Sequence, residues 1–274
     1  MPRSLSLRNA YIWGLSLVLI LLACEETTEW NLTSGENEKL VVEAILTDEF
    51  KEQTISLSLS DNDLNGEPIG LNDALVHVEV NGSAIAFIPD NQVPGRYTSE
   101  VPFAVLGDLS YRLNIVWNDQ LYTATSELST VAPMPTISFL PYADTDSLRF
   151  DEFAPLYNAN QQAMYEMRID WSQLTNEENA EAKLLFFTFS TIDVSALIRP
   201  VQDTVRFPRA STVIARKYGL NDDFAAYMRA LAIETYWRGG IYYGAAASLP
   251  TNISNDGLGF FSTCAVLTDT LIAE

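Results

Sequence analysis

The sequence predicts a mainly β protein: an N-terminal immunoglobulin-like antiparallel β-sandwich, followed by a second β-rich (α+β) region with one amphipathic helix. Three observations predict it. Between Lys39 and Leu128 apolar and polar residues alternate in short runs, the two-residue period of strands with one wet face. Asn81-Gly82, Pro94-Gly95 and Asn118-Asp119 punctuate those runs with the residues that tight reversals require. A single stretch, Phe224, Tyr227, Met228 and Leu231, repeats at helical spacing instead.

The elements follow in order. Arg3 and Arg8 open the chain, and Ala10 to Ala23 is apolar except for Gly14 and Ser16. That run is shorter than the ~20 residues a membrane-crossing helix needs. A basic start, a short apolar core and a small residue before the cut make a secretory signal, so residues 1–23 are expected to be removed. The ending Leu21-Leu22-Ala23-Cys24 resembles the lipobox of bacterial lipoproteins. That resemblance implies cleavage between Ala23 and Cys24 and a diacylglycerol thioether on Cys24, with acylation of the new amine. Two or three acyl chains hold a protein stably to a membrane, at ~0.8 kcal/mol per buried methylene. Glu25, Glu26 and Glu29 follow in an acidic tether over 24–37 that lacks hydrophobic pattern and is expected to be flexible. Acidic residues just past the cysteine also resemble an export tag for the outer face of the outer membrane, with the periplasmic face as the alternative.

Residues 38–132 make the sandwich. Ile55, Leu57 and Leu59 alternate with serines, and Val76, Val78 and Val80 alternate with His77 and Glu79 before the Asn81-Gly82 hairpin into Ala84–Ile88. Arg96–Val101 follows Pro94-Gly95. Tyr111, Leu113, Ile115 and Trp117 share a face and reverse at Asn118-Asp119 into Gln120–Glu127. Pro133-Met134-Pro135 interrupts the pattern, because proline removes donors and fixes φ. Residues 136–274 form the β-rich α+β domain, with strands at Ala163–Trp171, Ala182–Ser190 and Thr212–Lys217. Asn221-Asp222-Asp223 starts the helix and Gly239-Gly240 closes it; its apolar face is core.

Composition narrows the partners. The full chain carries a net charge of −20, and loss of Arg3 and Arg8 with the leader leaves the mature protein near −22. With a pI of about 4.2, the chain lacks the basic face that nucleic acid demands. Anionic lipid is disfavoured as well, so the acyl groups do the anchoring. Once Cys24 is acylated, Cys264 has no disulfide partner and reads as a small buried hydrophobe.

Few residues carry recognisable chemistry. His77, the one histidine, lies on the wet face of a strand, which leaves zinc hydrolysis and Ser-His-Asp or Cys-His pairs without a basis. Asp61-Asn62-Asp63-Leu64-Asn65-Gly66 fits the opening of a calcium loop, whose oxygens converge around a sharp glycine bend. The closing glutamate is missing: Asn72 stands there, followed by Asp73. Asp61, Asp63 and Asn65 therefore support at most a weak Ca2+ site, and a polar loop between Ile55–Ser60 and Leu75–Val80 is the favoured reading. Trp30, Trp117, Trp171 and Trp237 with twelve tyrosines could furnish a carbohydrate platform, although most such aromatics pack in sheets. No carboxylate pair for glycoside hydrolysis stands out. Asp146-Ser147-Leu148, Asp203-Thr204-Val205 and Asp269-Thr270-Leu271 resemble a short O-glycosylation acceptor.

Several segments taken together resemble a family. After the lipobox come Leu40-Val41-Val42-Glu43-Ala44-Ile45-Leu46-Thr47-Asp48, Gly95-Arg96-Tyr97, Tyr111-Arg112-Leu113 and Asn252-Ile253-Ser254-Asn255-Asp256-Gly257-Leu258-Gly259-Phe260-Phe261. This order is similar to the Bacteroidetes lipoproteins grouped as domain of unknown function 4249. The resemblance implies a surface lipoprotein commonly encoded beside a TonB-dependent outer-membrane receptor, with only Cys24 carried over as a functional position. The expectation is a non-enzymatic accessory or ligand-capture partner of such a β-barrel receptor, without cofactor beyond the lipid. A free-standing adhesin or glycan-binding lipoprotein is the alternative, and a hydrolase ranks below both.

Overall fold

In the computed structural model, residues 38–60, 68–143, 145–175, 179–191, 204–235 and 249–274 are described. Leu40–Thr47 (β1) and Thr54–Leu59 (β2) pair antiparallel, burying Leu40, Val42, Leu46, Ile55 and Leu57 on one face. A short β3 (Ile69–Gly70) flanks β2. Leu75–Val80 (β4), Ser83–Pro89 (β5), Arg96–Ser99 (β6), Ser110–Trp117 (β7) and Gln120–Glu127 (β8) complete the antiparallel run. The predicted reversals are where positive φ concentrates: Asn81 and Gly82 at 49° and 74°, Asn118 and Asp119 at 48° and 59°. These angles suit a two-residue hairpin because their twist matches that of the flanking strands.

Two tyrosines brace the sandwich. Tyr97 is fully buried, and its hydroxyl accepts the Ala74 N–H at 3.0 Å. Tyr111, at the head of β7, accepts the Leu106 N–H at 2.8 Å. A tyrosine reaching back to upstream backbone at a strand corner is a device of immunoglobulin-like sandwiches.

The remaining strands are Phe139–Pro141 (β9), Ser147–Phe150 (β10), Ala163–Asp170 (β11), Glu181–Thr188 (β12), Phe207–Pro208 (β13), Thr212–Gly219 (β14), Leu258–Cys264 (β15) and Val266–Ile272 (β16). Sheet order is β13-β10-β9 in one small sheet and β12-β11-β14-β16 in another. One helix, α1 (Asp222–Thr235), begins with Asn221 as its cap: the Asn221 Oδ1 accepts the Phe224 N–H at 2.8 Å. Asp222 and Asp223 occupy the positive end of its dipole. The glycine pair Gly239-Gly240 lies outside the described residues.

The strand β15 joins the first sheet rather than the second. It pairs parallel with β1 over Val41↔Leu258 to Thr47↔Cys264, giving the order β15-β1-β2-β6-β5-β4-β7-β8. Residues Glu38–Glu274 accordingly make one compact unit across Pro133. Phe260 on β15 stacks with Phe224 of α1 and meets Tyr227, each at 5.2 Å between ring centres. Burying such a ring stabilises by about 1.5–3 kcal/mol, so the helix packs on the sandwich edge as well as on Met164, Phe187 and Tyr218 of the second sheet.

Candidate functional site

The segment Asn252–Phe261 closes the sandwich. Asn252 forms a two-bond clamp on Phe261: its Nδ2 donates to the Phe261 carbonyl at 2.8 Å and its Oδ1 accepts the Phe261 N–H at 3.0 Å. Ser254 bridges to β8, donating its N–H to the Thr123 carbonyl at 2.9 Å and accepting the Thr123 N–H on its hydroxyl at 2.8 Å. Asn255 donates Nδ2 to the Leu121 carbonyl at 2.6 Å. Farther along, Ser126 and Thr263 continue the seam between β8 and β15. Gly259, at φ 83°, is required because a Cβ there would lie 2.0 Å from the Val42 carbonyl oxygen. Gly95 obeys the same logic: its φ is 80°, and a Cβ would lie 2.3 Å from the Leu57 carbonyl oxygen. The short motifs quoted from the sequence are thus braces of the scaffold.

A charged face occupies the open half of the β12-β11-β14-β16 sheet. Register places Leu185, Glu166, Arg216 and Thr268 in one row, with Lys183 and Arg168 in the next. Glu166, buried within the sheet, accepts from Arg168 Nε at 2.8 Å and from Lys183 Nζ at 2.7 Å. Burial alone would raise its pKa, but the bonds and charges of Lys183 and Arg168 outweigh it and hold the carboxyl below its ordinary value. Glu49, from the turn after β1, takes Lys51 Nζ at 2.6 Å and Arg216 Nη2 on one oxygen and the Thr268 hydroxyl at 3.3 Å on the other. Its pKa is lowered in the same way, burial being overcome by Lys51 and Arg216. Arg168 and Lys183 remain about half exposed while holding Glu166. This face suits polar or acidic groups; its carboxylates are engaged by cations.

A cleft of about 360 Å³ lies beside the start of α1, lined by Gln162, Phe189, Ser190, Asp222 and Arg229 among others. Gln162 is fixed there, donating to Asp222 Oδ1 at 2.7 Å and accepting the Ser190 N–H at 3.2 Å. Its size and mixed lining suit a small molecule.

His77 sits on the outer face of β4 with Glu79 Oε1 at 3.3 Å. Cys264 is fully buried, and burial pushes its thiol up to about 12. Asn72 Oδ1 accepts the Gly95 N–H at 2.7 Å and so anchors a turn. Cys24, Ala23, Asp61, Asp63 and Asn65 lie outside the described residues. Among the described residues no group of three or more His, Cys, Asp or Glu side chains could hold a metal ion. Trp117 packs against the sandwich core and Trp171 against the cluster around Ile169 and Val213, both half-buried. Sequence reasoning missed the charged face, whose local signal was the alternation of Glu166, Arg168 and Asp170 with apolar residues along β11.

The family model described as Domain of unknown function (DUF4249) matches residues 25–270. The chain belongs to that family. The DUF4249 match runs from the residue after Cys24 to within β16 and so spans every sheet described above. No curated protein matches the chain.

Proposed function

We propose that this DUF4249 protein is a lipid-anchored, non-enzymatic accessory or ligand-capture partner of an outer-membrane β-barrel receptor. The observation that carries the reading is the use of its motif residues: Asn252, Ser254, Gly259, Gly95, Tyr97 and Tyr111 all brace the sandwich. A scaffold so constructed, beginning 14 residues after the expected lipid at Cys24, is suited to holding a binding surface at a membrane. The charged face and the cleft beside α1 supply polar surface for a partner or a captured small molecule.

The test is recovery of the tagged, lipidated protein from detergent extracts of its host. A β-barrel protein in stoichiometric amount is the expected companion. Recovery of the lipoprotein alone, under conditions that keep other envelope complexes intact, overturns the proposal.

A further inference from the structure

The outer face of the sandwich carries an apolar stripe across four neighbouring strands. Register pairs Leu75 with Val116, and Val116 with Leu121, across β4, β7 and β8. Ile88 continues the row on β5, one step beyond the Val76↔Phe87 pair. All four point away from the core, and their exposures are 71% for Leu75, 36% for Val116, 47% for Leu121 and 52% for Ile88. Four strands about 4.8 Å apart make a stripe roughly 14 Å long. Single exposed apolar residues are ordinary, but a contiguous group rimmed by polar residues marks an interaction site.

Its rim is defined. The next row inward is Ala86, His77, Asn114 and Thr123, polar on three of the four strands. On the other side the turns carry Asp73, Asp90 and Asp119, with Arg96 facing Asp90 at 4.0 Å.

Register carries the row from Leu75 and Ile88 to Thr98 and Thr54, and so to Ile45, one step past the Ala44↔Ile55 pair. The stripe is therefore level with the second half of β1.

We infer that this stripe is where the membrane partner docks, through an apolar patch on that partner rimmed by Lys or Arg. The inference rests on the accessory reading above. Shape and charge select the occupant: the stripe supplies the dry centre and Asp73, Asp90 and Asp119 the complementary rim. An anionic lipid surface fits less well, because Asp73, Asp90 and Asp119 flank the stripe with like charge.

The experiment places a benzophenone amino acid at Leu75 or Leu121 in the full-length lipidated protein in host envelopes. Phe50, exposed in the turn after β1, and Ser56, on the outer face of β2, serve as comparison positions. Leu75 and Leu121 should crosslink to the same β-barrel protein that co-purifies in detergent. The adducts should map to apolar residues flanked by Lys or Arg. The double variant Leu75→Asp/Leu121→Asp should lower recovery of that barrel about tenfold or more, equivalent to about 1.4 kcal/mol, whereas Phe50→Asp should leave it unchanged. Co-purification of a barrel that crosslinks only from Phe50 or Ser56, or lipid adducts alone from Leu75 and Leu121, overturns the docking site while leaving the accessory role standing. Absence of any barrel in the extracts overturns both. Should the double variant unfold, the crosslinks in the otherwise native protein decide.

Discussion

Ser126 and Thr263 join the two edges of the sandwich: the Ser126 hydroxyl accepts the Thr263 N–H at 3.0 Å and lies 3.0 Å from the Thr263 hydroxyl. Both residues are buried, so a side chain here completes hydrogen bonding that a neighbouring strand would otherwise supply. Ser126→Ala leaves the Thr263 N–H without that acceptor, at a cost of about 1–3 kcal/mol. The midpoint of thermal unfolding should fall by several degrees, at about 2–4 °C per kcal/mol for a chain of this size. Thr263→Val removes only the hydroxyl pair and should cost less; an equal or larger loss would contradict this account of the seam.

Two glycines with similar backbone angles should respond differently to the same substitution. Gly259 and Gly82 sit at φ 83° and 74°, but only Gly259 has backbone, the Val42 carbonyl oxygen, 2.0 Å from the site of an added Cβ. At Gly82 nothing lies within 4 Å. Gly82→Ala therefore costs left-handed strain alone, about 1–2 kcal/mol. Gly259→Ala adds a clash that only separation of β15 from β1 relieves, and should exceed about 4 kcal/mol, the range reserved for severe core disruption. Urea unfolding of the two variants beside the parent measures the difference.

Much of the sandwich was legible because its signals are local. Asn81-Gly82 and Asn118-Asp119 lie within a few residues of the strands they join, and the serine alternation of Ile55, Leu57 and Leu59 declares which face is wet. The place of β15 was not legible. Val41 and Leu258 pair across about two hundred residues, and a parallel partner is announced by no turn. The charged face was hidden for a related reason: Glu166, Arg216 and Glu49 come from three distant segments, and only sheet register assembles them. The helix cap at Asn221 was readable because capping is itself a local bond.

Cys264 should behave as a packed apolar residue. It is fully buried between the sandwich edge and α1, and burial raises its thiol to about 12, leaving negligible thiolate at pH 8. A form of the protein starting at Glu25 should therefore show no reaction with an aromatic disulfide reagent while folded. In guanidinium it should release one equivalent. Fast labelling of the native protein would mean that this strand opens far more readily than its packing implies.

The lipid anchor has a direct test at its own position. Cys24→Ser removes the sulfur on which a thioether would form, and should shift the chain from the membrane to the soluble fraction of host cells without changing its unfolding midpoint. Mass spectrometry of the parent should find Cys24 as the N-terminal residue, carrying acyl mass. An unmodified thiol, or a protein still beginning at Met1, would remove the basis for any membrane role.

Acid should weaken the second sheet through Glu166 and Glu49. Burial opposes their ionisation, but Lys183 and Arg168 at Glu166, and Lys51 and Arg216 at Glu49, hold both pKa values below the ordinary 4.5. A carboxyl whose folded pKa is depressed contributes stability that is fully present above its unfolded value and is lost as pH falls through the folded one. Stability should thus be flat with respect to these groups above pH 4.5 and decline below it. The cations on Glu166 are about half exposed, so screening limits its share to about 1 kcal/mol. Glu166→Gln should lower the unfolding midpoint at pH 7, the gap to the parent should shrink as pH falls below 4.5, and 1 M salt should narrow the gap at pH 7 because screening is then short-ranged. A gap between parent and variant that stayed constant from pH 7 to pH 3 would show that packing, rather than charge, is what Glu166 provides.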